Sequence, residues 1–496
     1  MTKKLMSLFC IVSMIFCIAG CKTNKTGSEI LSTDDDFMSF DNNSTATDSS
    51  DGQSSTPGKG TSGGKGTTGG GAVVSKTEDG NVTVRVDTPV TPTQKKSILA
   101  SKDYKGKSFT FMYWYEPDDI VKRKVAAFNK AHNAKVKIVV VTGFLDSVAK
   151  SIASGTPYDI VANHSDFMPQ SIFSDLYEPL EGYIATEDMH DSSKPETGGI
   201  SAAISDNFAW GGHYYALGST KAVYPMVFYY NKKMFTEAGL EDPWELYKSG
   251  KWTWNKLVEM GKQVTDFSNN ITFLEAPGLG DWNAINAIPA VKMENGTYTA
   301  QFTSTQYINS CKMYQELFKG NAPICSSDLS IMFRNGQCYM SLQQTDAYKQ
   351  NANFAKTNSH FGKTADNLGV VPAPAGPLNT SKAYPGAAPQ GYSSIKGAKD
   401  PSVAACYALF ESTYTDKEIS GNQFPTDVRA EVEKLFAANP YASFSGFTDS
   451  SGRRLATVIN NEIGKSIREG ADVNQTINNK LPDLQRIISD SLQNAK

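Results

Sequence analysis

The sequence predicts an α/β fold that ends in helices, preceded by a long segment with no core of its own. Three observations carry this. Past Lys102, short apolar runs alternate with amphipathic stretches, the pattern of βαβ units on a mainly parallel sheet. Runs as short as 138–141 suit strands covered on both faces. From Pro401 onward the pattern is mostly helical. In order, KSFTFMYWY reads as a strand, DDIVKRKVAAFNKAHN as an amphipathic helix, KVKIVVV as a strand, SVAKSIASG as a helix and YDIVAN as a strand. Further strands are expected at HYYAL, PMVFYYN, QCYMSL, NLGVVPA and GYSSI, with helices between them.

Composition narrows the function classes. The 496 residues carry Lys+Arg 48 against Asp+Glu 51, a net charge of -3, and 40% are hydrophobic. This excludes a basic nucleic-acid binder and a multipass membrane protein. Lys3 and Lys4 precede an apolar stretch over 5–19, too short for the ~20 residues of a spanning helix, so it reads as an export signal. The stretch closes on Ile18, Ala19, Gly20 and Cys21, which resembles the lipobox of bacterial lipoproteins. That resemblance implies a signal peptide over 1–20, an acylated Cys21 at the new N-terminus, and an exported protein lipid-anchored to the outer face of the cell membrane. Residues 21–102 are rich in Ser, Thr and Gly, as in TPGKGTSGGKGTTGGG, and cannot bury enough surface to offset their ordering entropy. They are expected to be a disordered tether, of root-mean-square span roughly 50 Å. VTVRVDTPV alternates like a strand, but Pro89 and Pro92 weaken that reading. Of seven cysteines, Cys10 and Cys17 leave with the signal; Cys311, Cys325, Cys338 and Cys406 remain, either as buried thiols or as two bridges.

Six segments, met in order over the body, then resemble the family 1 extracellular solute-binding proteins of ABC importers. They are TPYDIVANHSDFMPQSIFSDLYEPLEGYI, HYYALGSTKAVYPMVFYYNKKMFTEAGL, WELYKSGKWTWNKLVEMGKQVT, FRNGQCYMSLQQTD, LGVVPAPAGP and GYSSIKGAKDPSVAACYALFEST. Tyr158 between Pro157 and Asp159, Ala216 in place of a Gly and Gly218 in place of a Pro depart from the family's pattern. The resemblance implies a two-lobe, type II periplasmic-binding-protein-like fold with a hinge of several crossings. Lobe one is expected at 103–220 plus 336–390, and lobe two at 221–335 plus 391–496. It also implies a monomer that captures a small solute, foremost an oligosaccharide, in the interlobe cleft and delivers it to ABC permease subunits. No cofactor, metal or catalytic residue is expected.

A sugar offers apolar C–H faces and hydroxyl edges, so a receptor needs aromatic platforms beside planar polar groups. Open α/β sheets place ligands at the C-terminal ends of strands. Those ends offer Trp114, Tyr115 and Glu116, and then Asn163, His164 and Asp166. Trp210, Asp281, Trp282, Gln344 and Asp346 are further candidates, although Trp114 and Trp282 could equally fill space under a loop. Trp252 and Trp254 flank a helix N-cap at Thr253, and Tyr229, Tyr230 and Asn231 end a strand before a helix; these read as structural. Other solutes (peptide, polyamine, organic anion) and a secreted polysaccharide-degrading enzyme are the alternatives. The latter would use two remote carboxylates. GTSGG at 60–64 fits a nucleophile-elbow pattern, but no strand precedes it and no helix follows. The five histidines His132, His164, His190, His213 and His360 lack close ligand spacing.

Overall fold

The structure, a computed structural model, describes residues 73–76, 82–85 and 90–493, apart from 115, 118, 165–166, 169, 192–197, 220–224, 295–296, 322, 377–388, 415–423, 439–445, 450 and 452. The expected signal peptide and Cys21 lie outside the described residues, and everything described belongs to one unit, Thr61–Lys496. In chain order the described strands are β1 (Val73–Lys76), β2 (Val82–Arg85), β3 (Ser108–Tyr113), β4 (Lys135–Val140), β5 (Ile160–His164), β6 (Ala209–Trp210), β7 (His213–Tyr214), β8 (Met226–Asn231), β9 (Thr272–Leu274), β10 (Val291–Glu294), β11 (Thr297–Ala300), β12 (Cys338–Gln344), β13 (Leu368–Pro372) and β14 (Gln390–Ser393).

The first sheet runs β14-β5-β3-β4. Its βαβ core forms as the sequence pattern predicts: β3 pairs in parallel with β4 and with β5, so that Phe111 faces Ile138 on one side and Ile160 on the other. The helix Asp119–Ala131 buries Val121, Val125 and Phe128, one stripe at helical spacing. Residues 138–141, expected to be covered on both faces, instead end an edge strand, and Val140 is 44% exposed.

The second sheet runs β13-β8-β12-β9 and is mostly antiparallel, because β8 pairs antiparallel with both β12 and β13, whereas only β9 joins β12 in parallel. This corrects the division of the chain. Residues 336–390 were expected with lobe one, yet β12 and β13 flank β8 in the second sheet; β14 and the helix Ser402–Thr413, expected with lobe two, belong to the first. The physical reason is that the apolar runs QCYMSL and NLGVVPA fit either sheet, and only their hydrogen-bond partners decide between them. The chain therefore crosses between the sheets from β7 to β8, from β13 to β14, and again after Thr413, since Val428 and Val432 of helix Thr426–Ala438 pack with Val227 and Tyr229. Helix Val473–Gln493 completes the second core with Ile477, Leu484, Ile487 and Ile488.

The tether expectation is corrected at its C-terminal end. β1 and β2 pair with each other, and β2 pairs with β11, giving a sheet ordered β1-β2-β11-β10. Farther on, Val90, Leu99 and Tyr104 are buried in the first core. Valine and threonine alternation in VTVR suits a strand, and the two prolines fall beyond it. Cys311, Cys325, Cys338 and Cys406 are all free and buried.

One close approach sets a limit on the second sheet. Gly369 pairs with Tyr230, and a Cβ there would sit 2.1 Å from the tyrosine Cζ, while the Tyr230 hydroxyl donates to Asp242 Oδ1 at 2.8 Å and holds the ring in place. Gly369→Ala is expected to lower unfolding free energy by about 1–3 kcal/mol, measured by urea denaturation, with no change in the secondary structure.

Candidate functional site

The C-terminal ends of β3 and β5 bring four rings together. Trp114 meets His164 edge-on at 5.8 Å and Phe167 at 5.7 Å, and Phe167 stacks on Phe144 at 4.1 Å. His164, Phe167 and Phe144 are buried; Trp114 is half-buried and is the accessible ring of the four. The parallel pairing of β3 with β5 explains the juxtaposition, since it carries both strand ends to the same edge of the sheet. Asn163, fully buried, donates through Nδ2 to Ser393 Oγ at 3.0 Å and accepts from the His164 N–H at 2.9 Å. Its amide thus fastens β14 to β5 and is occupied within the protein, against the expectation of a ligand contact. Glu116 is exposed and paired with Lys122 at 2.9 Å, a solvated surface ion pair. Tyr115 and Asp166 lie outside the described residues.

Two of the other aromatic candidates are core residues. Trp282 sits on the helix Leu279–Ile285 with 1% exposure, its Nε1 donating to the Ser310 carbonyl at 3.0 Å and its ring edge-on to Trp254 at 4.7 Å. The helix turns it into the core. Trp210 is buried in the core with Ile204, Phe208 and Ala216. Asp281, the neighbour of Trp282, is half-buried. Gln344 is also half-buried, and its carbonyl accepts the Tyr229 hydroxyl at 3.0 Å. Asp346 lies in the short turn Thr345–Ala347, and its side chain is outside what is described.

The residues read as structural behave so. Thr253 accepts from the Lys256 N–H at 3.2 Å, and Trp252 donates to the Pro372 carbonyl at 2.9 Å. Asn231 accepts from the Met234 N–H at 3.2 Å, capping the next helix. One candidate escaped the sequence reading. Tyr215 is half-buried and packs against the second-lobe core and the aromatic cluster at the same time. Its signal was its place in HYYAL, where it alternates with the buried Tyr214.

Chemically, this is a surface for contact. Burial pushes the Cys406 thiol up to about 12 and raises the other three thiols as well, so none supplies a thiolate at neutral pH. Among the described residues no group of His, Cys, Asp and Glu has the arrangement of a metal site, and no helix is long and apolar enough to cross a membrane.

The family model of the bacterial extracellular solute-binding proteins matches residues 115–405, more than half of the 496. The chain belongs to that family. No curated protein matches this solute-binding protein. Among solved structures it is similar to an ABC substrate-binding protein of Listeria monocytogenes in complex with cycloalternan, at 15% identity and TM-score 0.56 over 77% of this chain and 99% of that one. An extracellular solute-binding protein of Staphylococcus aureus in complex with maltose matches at 15% identity and TM-score 0.55, covering 77% and 98%. The galacto-N-biose-/lacto-N-biose I-binding protein of Bifidobacterium longum matches at 14% identity and TM-score 0.55, covering 79% and 98%. At these identities the likeness is one of fold, the two-lobe architecture of solute-binding proteins.

The different burial of the two tryptophans gives an expected outcome. Trp282→Ala should cost about 3–5 kcal/mol of stability, while Trp114→Ala should cost clearly less, both read from urea denaturation. Equal losses would place Trp114 in the core.

Proposed function

We propose that this protein captures an oligosaccharide between its lobes and delivers the closed, liganded form to the permease subunits of an ABC importer. The observation that carries the reading is Trp114, the accessible ring of an aromatic cluster at the strand ends of the first sheet. A flat ring there offers a platform to the C–H face of a sugar, and Tyr215 at the junction of the two cores offers a second. The complexes of similar structures with cycloalternan, with maltose and with lacto-N-biose support the same ligand class. The function is binding rather than catalysis: contacts from both lobes exist together only when the cleft is closed, so ligand shifts the population toward closure. A micromolar site requires about 8 kcal/mol net.

The anchoring belongs to the same proposal. Residues 1–20 act as an export signal, Cys21 carries the lipid, and 22–72 lead from the membrane to the first described strand. Dividing the body by sheet membership gives a first lobe around β3, β4, β5 and β14 and a second around β8, β9, β12 and β13.

The decisive experiment is thermal unfolding and calorimetry against maltose, maltotetraose and cycloalternan, beside amino acids, peptides and polyamines. A sugar present at a hundred times its dissociation constant should stabilise the protein by about 2.7 kcal/mol. Trp114→Ala should weaken that binding at least ~10-fold, or ~1.4 kcal/mol. Stabilisation by a charged solute and by no sugar would overturn the ligand class. Cys21→Ser should move the protein from the membrane fraction to the medium; retention on the membrane would refute the anchor.

A further inference from the structure

The N-terminal segment is attached to both lobes. On one side β2 pairs antiparallel with β11, Arg85 opposite Thr297, Val84 opposite Tyr298 and Thr83 opposite Thr299. β11 belongs to the second lobe: Ala300 and Phe302 are buried in its core together with Phe273, Leu274 and Tyr307. On the other side, Val90 is buried with Leu180, Ile184 and Tyr214 of the first core. There the Thr93 N–H donates to the Glu181 carbonyl at 3.1 Å and the Gln94 N–H to the Ile184 carbonyl at 3.0 Å. The Ser97 N–H and hydroxyl donate to the carboxylates of Glu187 and Asp188, and Leu99 is fully buried.

Between Arg85 and Val90 the chain has only four residues, five Cα steps, which reach at most roughly 18 Å when fully extended. A separation of the lobes that carries β11 farther than this from the Val90 site must break one attachment. The two are unequal. Residues 90–104 are held by a buried core and several hydrogen bonds, whereas β1 and β2 form a two-stranded ribbon that meets the second lobe along the β11 edge and where β2 lies near the helix Val473–Gln493, and such a ribbon is marginal by itself.

We propose that β1 and β2 are a strap across the hinge: they dock on β11 when the lobes are closed and detach when the lobes open, so that cleft opening lengthens the free tether. The inference rests on the hinged, two-lobe reading above, but its test needs no sugar. Hydrogen exchange on the full chain would follow the amides of Val473–Gln493, the second-lobe helix against which the segment following β5 packs through Met168 and Ile172. Val84→Pro removes a donor from β2 and should speed exchange at that interlobe contact at least ~10-fold. Pairing Val84→Cys with Tyr298→Cys places thiols at register partners, within the Cα separation a disulfide spans; oxidation should slow exchange at the same amides, and reduction should restore it. Interlobe exchange unchanged by the closed disulfide would overturn the strap, whatever the proline variant does to folding. Because no ligand enters, a protein that binds no sugar but responds to the disulfide would refute the proposed function and keep the strap.

Discussion

Strand β5 is buried on both faces, and its backbone N–H and C=O groups therefore need a neighbour on each edge. β3 supplies one edge in parallel, although the chain passes through β4 and two helices between the two strands. The other edge is filled by β14, which arrives only after the chain has built most of the second lobe, and the bond from Asn163 to Ser393 ties residues 230 positions apart. β8 imposes the same demand in the second sheet, where all six of its residues are buried and β12 and β13 close its two edges. The crossings between the lobes follow from these two central strands. A chain whose sheets are each completed by a returning strand can move its lobes only by bending at the crossings, because sliding either sheet would break a ladder.

The same reasoning separates what could be read in the sequence from what could not. The run 108–164 was legible because its contacts are local: β3 pairs with β4 one helix away and with β5 two helices away, and the helix Asp119–Ala131 shows its buried stripe at i, i+4 and i+7. Membership of β12, β13 and β14 was not legible, since it depends on which distant edge stands open, and an apolar run carries no mark of that edge. The segment at 82–85 failed for a related reason. VTVR has strand character, but alone it lacks a partner, and only the β10–β11 hairpin more than two hundred residues later provides one.

The aromatic candidates divide on a finer physical point. Sequence position put Trp114 first, with Trp210 and Trp282 as further candidates, yet what decides each is where the surrounding backbone aims the ring. Trp282 lies within a helix packed on another helix, and its buried indole N–H is met by the Ser310 carbonyl, as that of Trp252 is met by Pro372. Such acceptors are backbone groups from remote segments and leave no trace in the tryptophan's own neighbourhood. Trp114 stands immediately past a strand end, where the sheet stops covering it. The residue directly following β3 is left partly open to solvent, whereas Asn163 is still inside β5 and within reach of β14, which takes up its amide.

Magnitudes indicate what holds the lobes together before any ligand enters. Asp119 and Lys349 form an ion pair across the lobes at 3.4 Å, but both side chains are largely exposed, and such pairs contribute about 0.2–1 kcal/mol, less as salt rises. Against this, Met168 and Ile172 of the first lobe's chain segment are buried in the second lobe's core with Ile487 and Ile488. Burying side chains of that size stabilises by roughly 1.5–3 kcal/mol each, an upper figure where exposure on opening is partial. The apolar contact thus outweighs the charge pair severalfold. To it is added the β2–β11 ladder, whose hydrogen bonds are exchanged for bonds to water on detachment and so contribute modestly each. Neither contribution is screened by salt, so the association of the two lobes depends on apolar area and strand pairing more than on charge.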